Sequence, residues 1–165
     1  DDSKLVKKNH ALLPEGHAIE EAKAGQDEGG IPIGSVLVHD GKIVGRGHNR
    51  RVQKGSAILH GEMDALENAG RLPAQVYRES ILYTTLSPCA MCSGAILLYG
   101  IPKVVIGENL TFTGQEDWLR AHGVTLDIRQ DEACIALMQR FIANQPKLWN
   151  EDIGEISAAN DASNP

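Results

Sequence analysis

Two short motifs, His60-Gly61-Glu62 and Pro88-Cys89-Ala90-Met91-Cys92, constrain this chain more than any other feature in it. One imidazole and two thiols are metal ligands by type, and to serve one ion the two motifs have to be carried to a single point by the fold. Three protein ligands leave one position of a tetrahedral zinc open. That open position separates a catalytic zinc from a structural one closed by four protein groups. The chain therefore reads as a hydrolytic enzyme.

A chain of 165 residues is long enough for one sizeable core and too short to expect two, so the chemistry belongs to a single unit. The net charge of −6 supplies no long-range attraction for a phosphate backbone, which disfavours a nucleic-acid partner. Three cysteines, two of them in one C-x-x-C, suit metal binding in a reducing compartment better than a disulfide framework. The third, Cys134, reads as a small buried apolar residue. No run has the length of a membrane span, and the opening Asp1-Asp2-Ser3-Lys4 is unlike a signal peptide. The expectation is a soluble, cytoplasmic protein without membrane contact.

Residues 1–13 are expected to be a flexible segment, 14–155 the folded domain and 156–165 a disordered tail of small and polar residues. Within the domain, Pro14 suits the first turn of a helix that stops near Gly29-Gly30. The runs Ile31 to Val38 and Lys42 to Gly47 flank Asp40-Gly41, a hairpin signal. Ser56 is expected to cap a helix through Asn68, with Ile58, Leu59, Met63 and Leu66 as its apolar stripe and with His60 and Glu62 in its first turns. Ser80 to Leu86 reads as a strand, and Pro88 as the first position of a helix ending at Gly100. Lys103 to Ile106 reads as a strand, Gln115 to His122 as a helix, Val124 to Ile128 as a strand and Asp131 to Asn144 as a long amphipathic helix. This order predicts an α/β protein whose mainly parallel sheet is sandwiched by helices, the opening hairpin supplying its antiparallel pair.

Cys89 and Cys92 share a helix face, and a helix N-terminus favours their thiolate forms. With His60 they make the ligand set, leaving a position for water whose pKa falls toward ~7. Glu62 sits too close in sequence to His60 to ligate the same ion from a helix, but it can reach that water, which makes it the candidate proton shuttle. An H-x-E with P-C-x-x-C is the combination found in zinc deaminases.

The chain resembles the fungal-type cytosine deaminases of the cytidine/deoxycytidylate zinc deaminase superfamily. The resemblance is carried by Gly29-Gly30-Ile31-Pro32-Ile33-Gly34, Gly45-Arg46-Gly47-His48-Asn49, Gln53 to Ala57, Leu59 to Glu62, Leu82 to Cys89, Tyr99 to Pro102, Gly107-Glu108-Asn109 and Trp149 to Glu155, and spans roughly Pro14 to Glu155. It departs from that family at Asp40-Gly41, at Thr113 to Trp118 and at Asn150. The resemblance implies a three-layer α/β/α sandwich with a five-stranded mixed, mainly parallel sheet, a homodimer, and one Zn2+ per subunit. It implies that free cytosine, and 5-substituted cytosines, are hydrolysed to uracil and ammonia in pyrimidine salvage. It implies roles as well: Asn49 and the N–H of Gly61 on the pyrimidine carbonyl, Asp152 on a ring nitrogen, the Ser87 carbonyl receiving the leaving amine, and Ile33, Leu86, Phe112 and Trp149 around the base. The C-terminal segment carrying Trp149 and Asp152 would then act as a lid.

Read without the resemblance, Asn49 is equally a turn residue, Asp152 a helix cap, the four apolar wall residues core, and His48 structural. Asp131-Glu132 suits the first turn of the last long helix. The competing functions are a deaminase of another base, a nucleoside or a transfer-RNA adenosine, and a non-catalytic zinc-bearing relative. Intact Glu62 argues against the non-catalytic relative.

Overall fold

The computed structural model describes residues 7–8 and 11–156. Two short strands, β1 (Lys7–Lys8) and β2 (Ala11–Leu12), pair antiparallel at the start. They fall within the segment expected to be flexible; residues 1–6 and 9–10 of that segment and 157–165 of the expected tail lie outside the described residues. Helix α1 (Pro14–Asp27) follows, with Pro14 opening it as expected. Strands β3 (Gly34–His39) and β4 (Lys42–His48) form the hairpin. Asp40 and Gly41 both have positive φ, 51° and 73°, the requirement of the two-residue turn whose twist matches the strands. A register shift between Leu37 and Val38 bends the hairpin.

Beyond the hairpin come α2 (Arg51–Lys54), α3 (Gly61–Ala69), α4 (Ala74–Arg78), β5 (Ser80–Thr84), α5 (Ala90–Tyr99), β6 (Lys103–Ile106), α6 (Glu116–Ala121), β7 (Thr125–Ile128), α7 (Glu132–Asn144) and α8 (Pro146–Asp152). The five main strands lie in the order β4-β3-β5-β6-β7. β5 pairs with β6 and β6 with β7 in parallel, whereas β3 is antiparallel to both β4 and β5. Four of the five strands thus run the same way, as the mainly parallel expectation had it, and β3 alone opposes them, which makes two antiparallel pairs where sequence reasoning expected one. A helical crossover returns β5 in the direction of β4, and β3, lying between them, opposes both. Among the described residues no helix is long and apolar enough to cross a membrane.

Helices cover both faces. Leu37, Leu82, Val104 and Ile106 meet Tyr77, Ile96 and Leu119 of α4, α5 and α6 in one core, and Val36 and Val38 meet Ala18 of α1 on the other face. Each of the fully buried large side chains contributes about 1.5–3 kcal/mol relative to an exposed one. Two glycines set the spacing. A Cβ on Gly34 would run into the backbone of Ala18 and Ala22 in α1, and one on Gly47 would lie 2.6 Å from the backbone nitrogen of Ala65 in α3.

This close approach explains why α3 differs from its predicted form. Its buried side is Gly61, Glu62, Asp64 and Ala65, while Ile58 is exposed and Leu59, Met63 and Leu66 are half-buried. The sheet offers small residues there, and Asp64 is anchored by the His48 N–H at 3.1 Å and Arg50 Nε at 2.9 Å. Ser56 does not cap α3: its hydroxyl accepts from the N–H groups of Ile58 and Leu59, both at 3.2 Å, closing a local turn. His60, in extended backbone, is the N-cap of α3, and Cys89 is that of α5, so Pro88, expected as the first helical residue, lies just ahead of the cap and Ala90 opens the helix. Asp131 caps α7 by accepting from the Cys134 N–H at 3.0 Å. Cys134 is buried as expected, and that burial pushes its thiol well up.

Candidate metal centre and active site

The carboxyl ends of β4, β5 and β6 all point the same way, and the loops leaving them build the site, as is usual for open α/β sheets. β4 runs into Asn49, β5 into Leu86-Ser87-Pro88-Cys89, and β6 into the loop 107–115 that carries Phe112. His60 and Cys89 each stand at a helix start, so two sets of first-turn N–H groups and two positive dipole ends face the same region.

His60 Nδ1 lies 3.3 Å from Cys89 Sγ and 3.8 Å from Cys92 Sγ, and one donor atom from each of the three residues falls within 4.8 Å of the others. Tetrahedral zinc, with bonds of ~2.3 Å to sulfur and ~2.0 Å to nitrogen, separates such donors by about 3.6 Å. The two observed distances bracket that value, so the donors fit the ion in geometry as well as in type. Among the described residues no fourth His, Cys, Asp or Glu joins them.

The donors are electrostatically unequal. A hydrogen bond from Cys92, opposed by burial and assisted by His60, lowers Cys89 to about 4. The same contact and burial push Cys92 up, so it is the thiol that must give up its proton to ligate. Burial works against a charged His60 ring, but the hydrogen bond with Cys89 and the charges of Asp152 and Glu62 outweigh it and hold the ring at about 9.

Glu62 is buried beside this cluster. Burial first, and then the charge of Cys89, raise its carboxyl above the ordinary range. Behind it Ser35 Oγ donates at 3.5 Å to Glu62 and stands 3.1 Å from Thr84 Oγ1, a polar backing on the sheet face. Above the cluster is a small cavity lined by Ile33, His60, Glu62, Leu86, Ser87, Cys89, Phe112, Trp149, Asp152 and Ile153. Phe112 and Trp149 meet edge to face, ring centres 5.7 Å apart.

Asp152 closes the cavity from α8. Burial raises its carboxyl, against the pull of His60, whose Nε2 is 3.5 Å away. Asn49 stands one layer back, fully buried, donating its Nδ2 to Asp152 Oδ1 at 2.9 Å while its Oδ1 accepts from the Arg51 N–H at 3.0 Å. Gly61 is buried at the start of α3, where its N–H is one of those a helix cannot pair internally. A Cβ there would lie 3.0 Å from the Ile33 carbonyl oxygen.

Two contributors escaped sequence reasoning. Ile153 lines the cavity, and the signal for it was its position four residues after Trp149 on one helix face. Arg51 ties α8 down, its Nη1 3.6 Å from both Glu151 Oε1 and Asp152 Oδ1; nothing in the sequence pointed to it.

A three-donor metal cluster, a buried carboxylate beside it and a small closed cavity above it define a metal-dependent hydrolytic enzyme on an α/β/α scaffold. Residues 10–108 match the family model of the cytidine and deoxycytidylate deaminase zinc-binding region. The chain belongs to this family and is a zinc-dependent deaminase. It is 57% identical over 139 residues to a cytosine deaminase of Candida albicans, covering 84% of this chain and 93% of that one. It is 43% identical over 102 residues to a tRNA-specific adenosine deaminase of Streptococcus pyogenes, covering 60% of this chain and 64% of the relative. The solved structure of a guanine deaminase from Nitrosomonas europaea superposes with a TM-score of 0.64 at 25% identity, over 79% of this chain and 83% of that one.

Proposed function

We propose that this enzyme converts free cytosine and water to uracil and ammonia. The observation that carries the reading is α8: it lays Trp149 and Asp152 over the metal cluster, adds a carboxylate there, and leaves only a small cavity beside Ile33, Leu86 and Phe112. A cavity that small suits a bare base better than a nucleoside. The high identity to the Candida albicans cytosine deaminase over nearly that protein's whole length supports the same substrate.

His60, Cys89 and Cys92 would hold the zinc, which when bound supplies the Lewis acidity that makes water nucleophilic near neutral pH. Ile33, Leu86, Phe112 and Trp149 enclose the ring. Asn49, whose Nδ2 keeps a second hydrogen beyond its bond to Asp152, and the Gly61 N–H would donate to the pyrimidine carbonyl, and Asp152 would accept from a ring N–H. Glu62 takes a proton from water as carbon 4 is attacked and gives it to the adjacent ring nitrogen; it then takes the remaining proton of the new hydroxyl and passes it to the amine, so that the oxygen becomes a carbonyl as the carbon–nitrogen bond breaks and ammonia leaves, and its raised carboxyl suits both directions of transfer. The Ser87 carbonyl accepts an N–H of that amine. The reading extends to 5-substituted cytosines, to pyrimidine salvage in the cytoplasm and to a homodimer. The dimer is supported by exposed apolar surface on the two helices that carry the motifs: Leu98 of α5 is 73% exposed, and Met63 and Leu66 of α3 line one groove with Tyr99 of α5.

The test is ammonia release from cytosine, cytidine, adenine, guanine and adenosine in parallel, with a chelated control. Chelator-sensitive release from cytosine alone is expected. Release only from another compound would overturn the substrate and keep the zinc chemistry.

A further inference from the structure

The loop 107–115 delivers Phe112 to the cavity, and the segment 86–89 delivers Leu86, the Ser87 carbonyl and Cys89. Neither belongs to a regular element. Their mutual position is therefore held by side-chain and loop contacts, and one carboxylate takes a hydrogen bond from each of the two segments. Glu116, the first residue of α6, is only 5% exposed. Its Oε2 accepts from Ser87 Oγ at 2.6 Å, and its Oε1 accepts from Asn109 Nδ2 at 3.2 Å and stands 3.7 Å from Arg120 Nη2. The Ser87 hydroxyl, having spent its proton on Glu116, accepts from the Gly114 N–H at 2.8 Å.

The backbones are pressed together at the same place. The Gln115 N–H donates to the Pro88 carbonyl at 3.1 Å, and a Cβ on Gly114 would collide with that carbonyl oxygen. The Ser87 N–H donates to the Glu108 carbonyl at 3.0 Å, so Ser87 is gripped at both its backbone and its hydroxyl. A buried, charge-assisted hydrogen bond this short fixes an angle as well as a distance.

We infer that Glu116 is a positioning residue for the reaction: through the Ser87 hydroxyl it sets where the Ser87 carbonyl and the Phe112 loop meet the base. It touches neither metal nor substrate. The inference rests on the cytosine reading above.

The test is a double-mutant cycle on zinc-replete enzyme with Ser87→Ala, Glu116→Ala and the double variant, together with Glu116→Gln, which keeps an acceptor for Ser87. Zinc content, Tm, kcat and KM for cytosine are measured for each. Glu116→Ala is expected to lower kcat/KM by between about tenfold and about a hundredfold at unchanged zinc content, the range for a misplaced reacting group. The double variant is expected to be no worse than the poorer single one, and Glu116→Gln to recover most of the loss. Fully additive losses, or an unchanged kcat/KM in Glu116→Ala, would overturn the inference. Should Glu116→Ala fail to fold, Glu116→Asp, whose carboxylate retracts from Ser87, is compared with Glu116→Gln. An Asp variant as active as the Gln variant overturns the inference, and a less active one upholds it. A wild type inactive on cytosine would instead bring down the substrate reading before any variant is compared.

Discussion

In the proposed role Glu62 would gain and lose protons in each turnover while buried, with one hydroxyl behind it and the metal cluster in front. Glu62→Gln keeps the shape of the side chain and removes its proton transfer. Cytosine turnover should fall by about a hundredfold or more, with zinc content unchanged by atomic absorption. Near-normal turnover in that variant would remove Glu62 from the mechanism. Asp152→Ala takes away the acceptor that Asn49 also holds, so KM for cytosine should rise at constant zinc content; wild-type kinetics there would reject its role on the ring nitrogen. Glu62 was legible because its chemistry needs a carboxylate at a fixed spacing from His60, whereas Asp152 was singled out by the family resemblance alone and reads otherwise as a helix cap. Arg51 and Glu116 were not legible, because each acts through a partner far away in sequence, Asp152 for one and Ser87 for the other.

At the scale of elements, the close contact of α1 with β3 depends on Gly34 having no side chain. Gly34→Ala should cost about 1–3 kcal/mol as α1 is forced outward, read as a lowered denaturant midpoint. An unchanged midpoint would mean that α1 sits looser than its contacts imply. The end of α1 is tied to the end of β4 by His48, whose ring nitrogens lie 2.9 Å from Glu21 Oε1 and 2.7 Å from Glu28 Oε1. The hydrogen bond from His48, then one from Gln53, hold the Glu28 carboxyl below its ordinary 4.5. A carboxyl depressed in the folded state adds stability above its unfolded value and loses it as pH falls through the folded one. Glu28→Gln should therefore lower Tm above pH 4.5, the gap closing under more acid conditions; a gap independent of pH would assign its cause to packing. Strands and long helices were readable from periodicity. The short α2 and α4 offered too few residues for any period, and α3 misled because its buried side is small and polar, so that of the predicted apolar stripe Leu66 packs on the core while Ile58 is exposed.

At the scale of the whole molecule, exposed Ile58 and Leu98 leave apolar surface that the proposed homodimer would cover. If it does, Leu98→Glu should shift sedimentation toward monomer, whereas an unchanged profile would exclude this face as its interface. The metal binds the molecule together from inside. His60 leads into α3 and Cys89 and Cys92 belong to the start of α5, two helices on the same face of the sheet whose N-termini are joined at the cluster by side chains alone. An ion that binds only the folded arrangement adds about 2.7 kcal/mol when free zinc is a hundredfold above its Kd. For a domain of this size each kcal/mol moves Tm by about 2–4 °C, so stripping the zinc should lower Tm by roughly 5–11 °C and restoring it should reverse the loss. Occupancy should fall with acid in parallel, because Cys92 and His60 have to shed protons to ligate and both are held protonated near neutral pH. Calorimetry of zinc uptake in buffers of different ionisation heat would register those protons. Uptake without proton release, or a Tm indifferent to chelation, would show that the helix starts are held in register by packing and that the metal serves the chemistry alone.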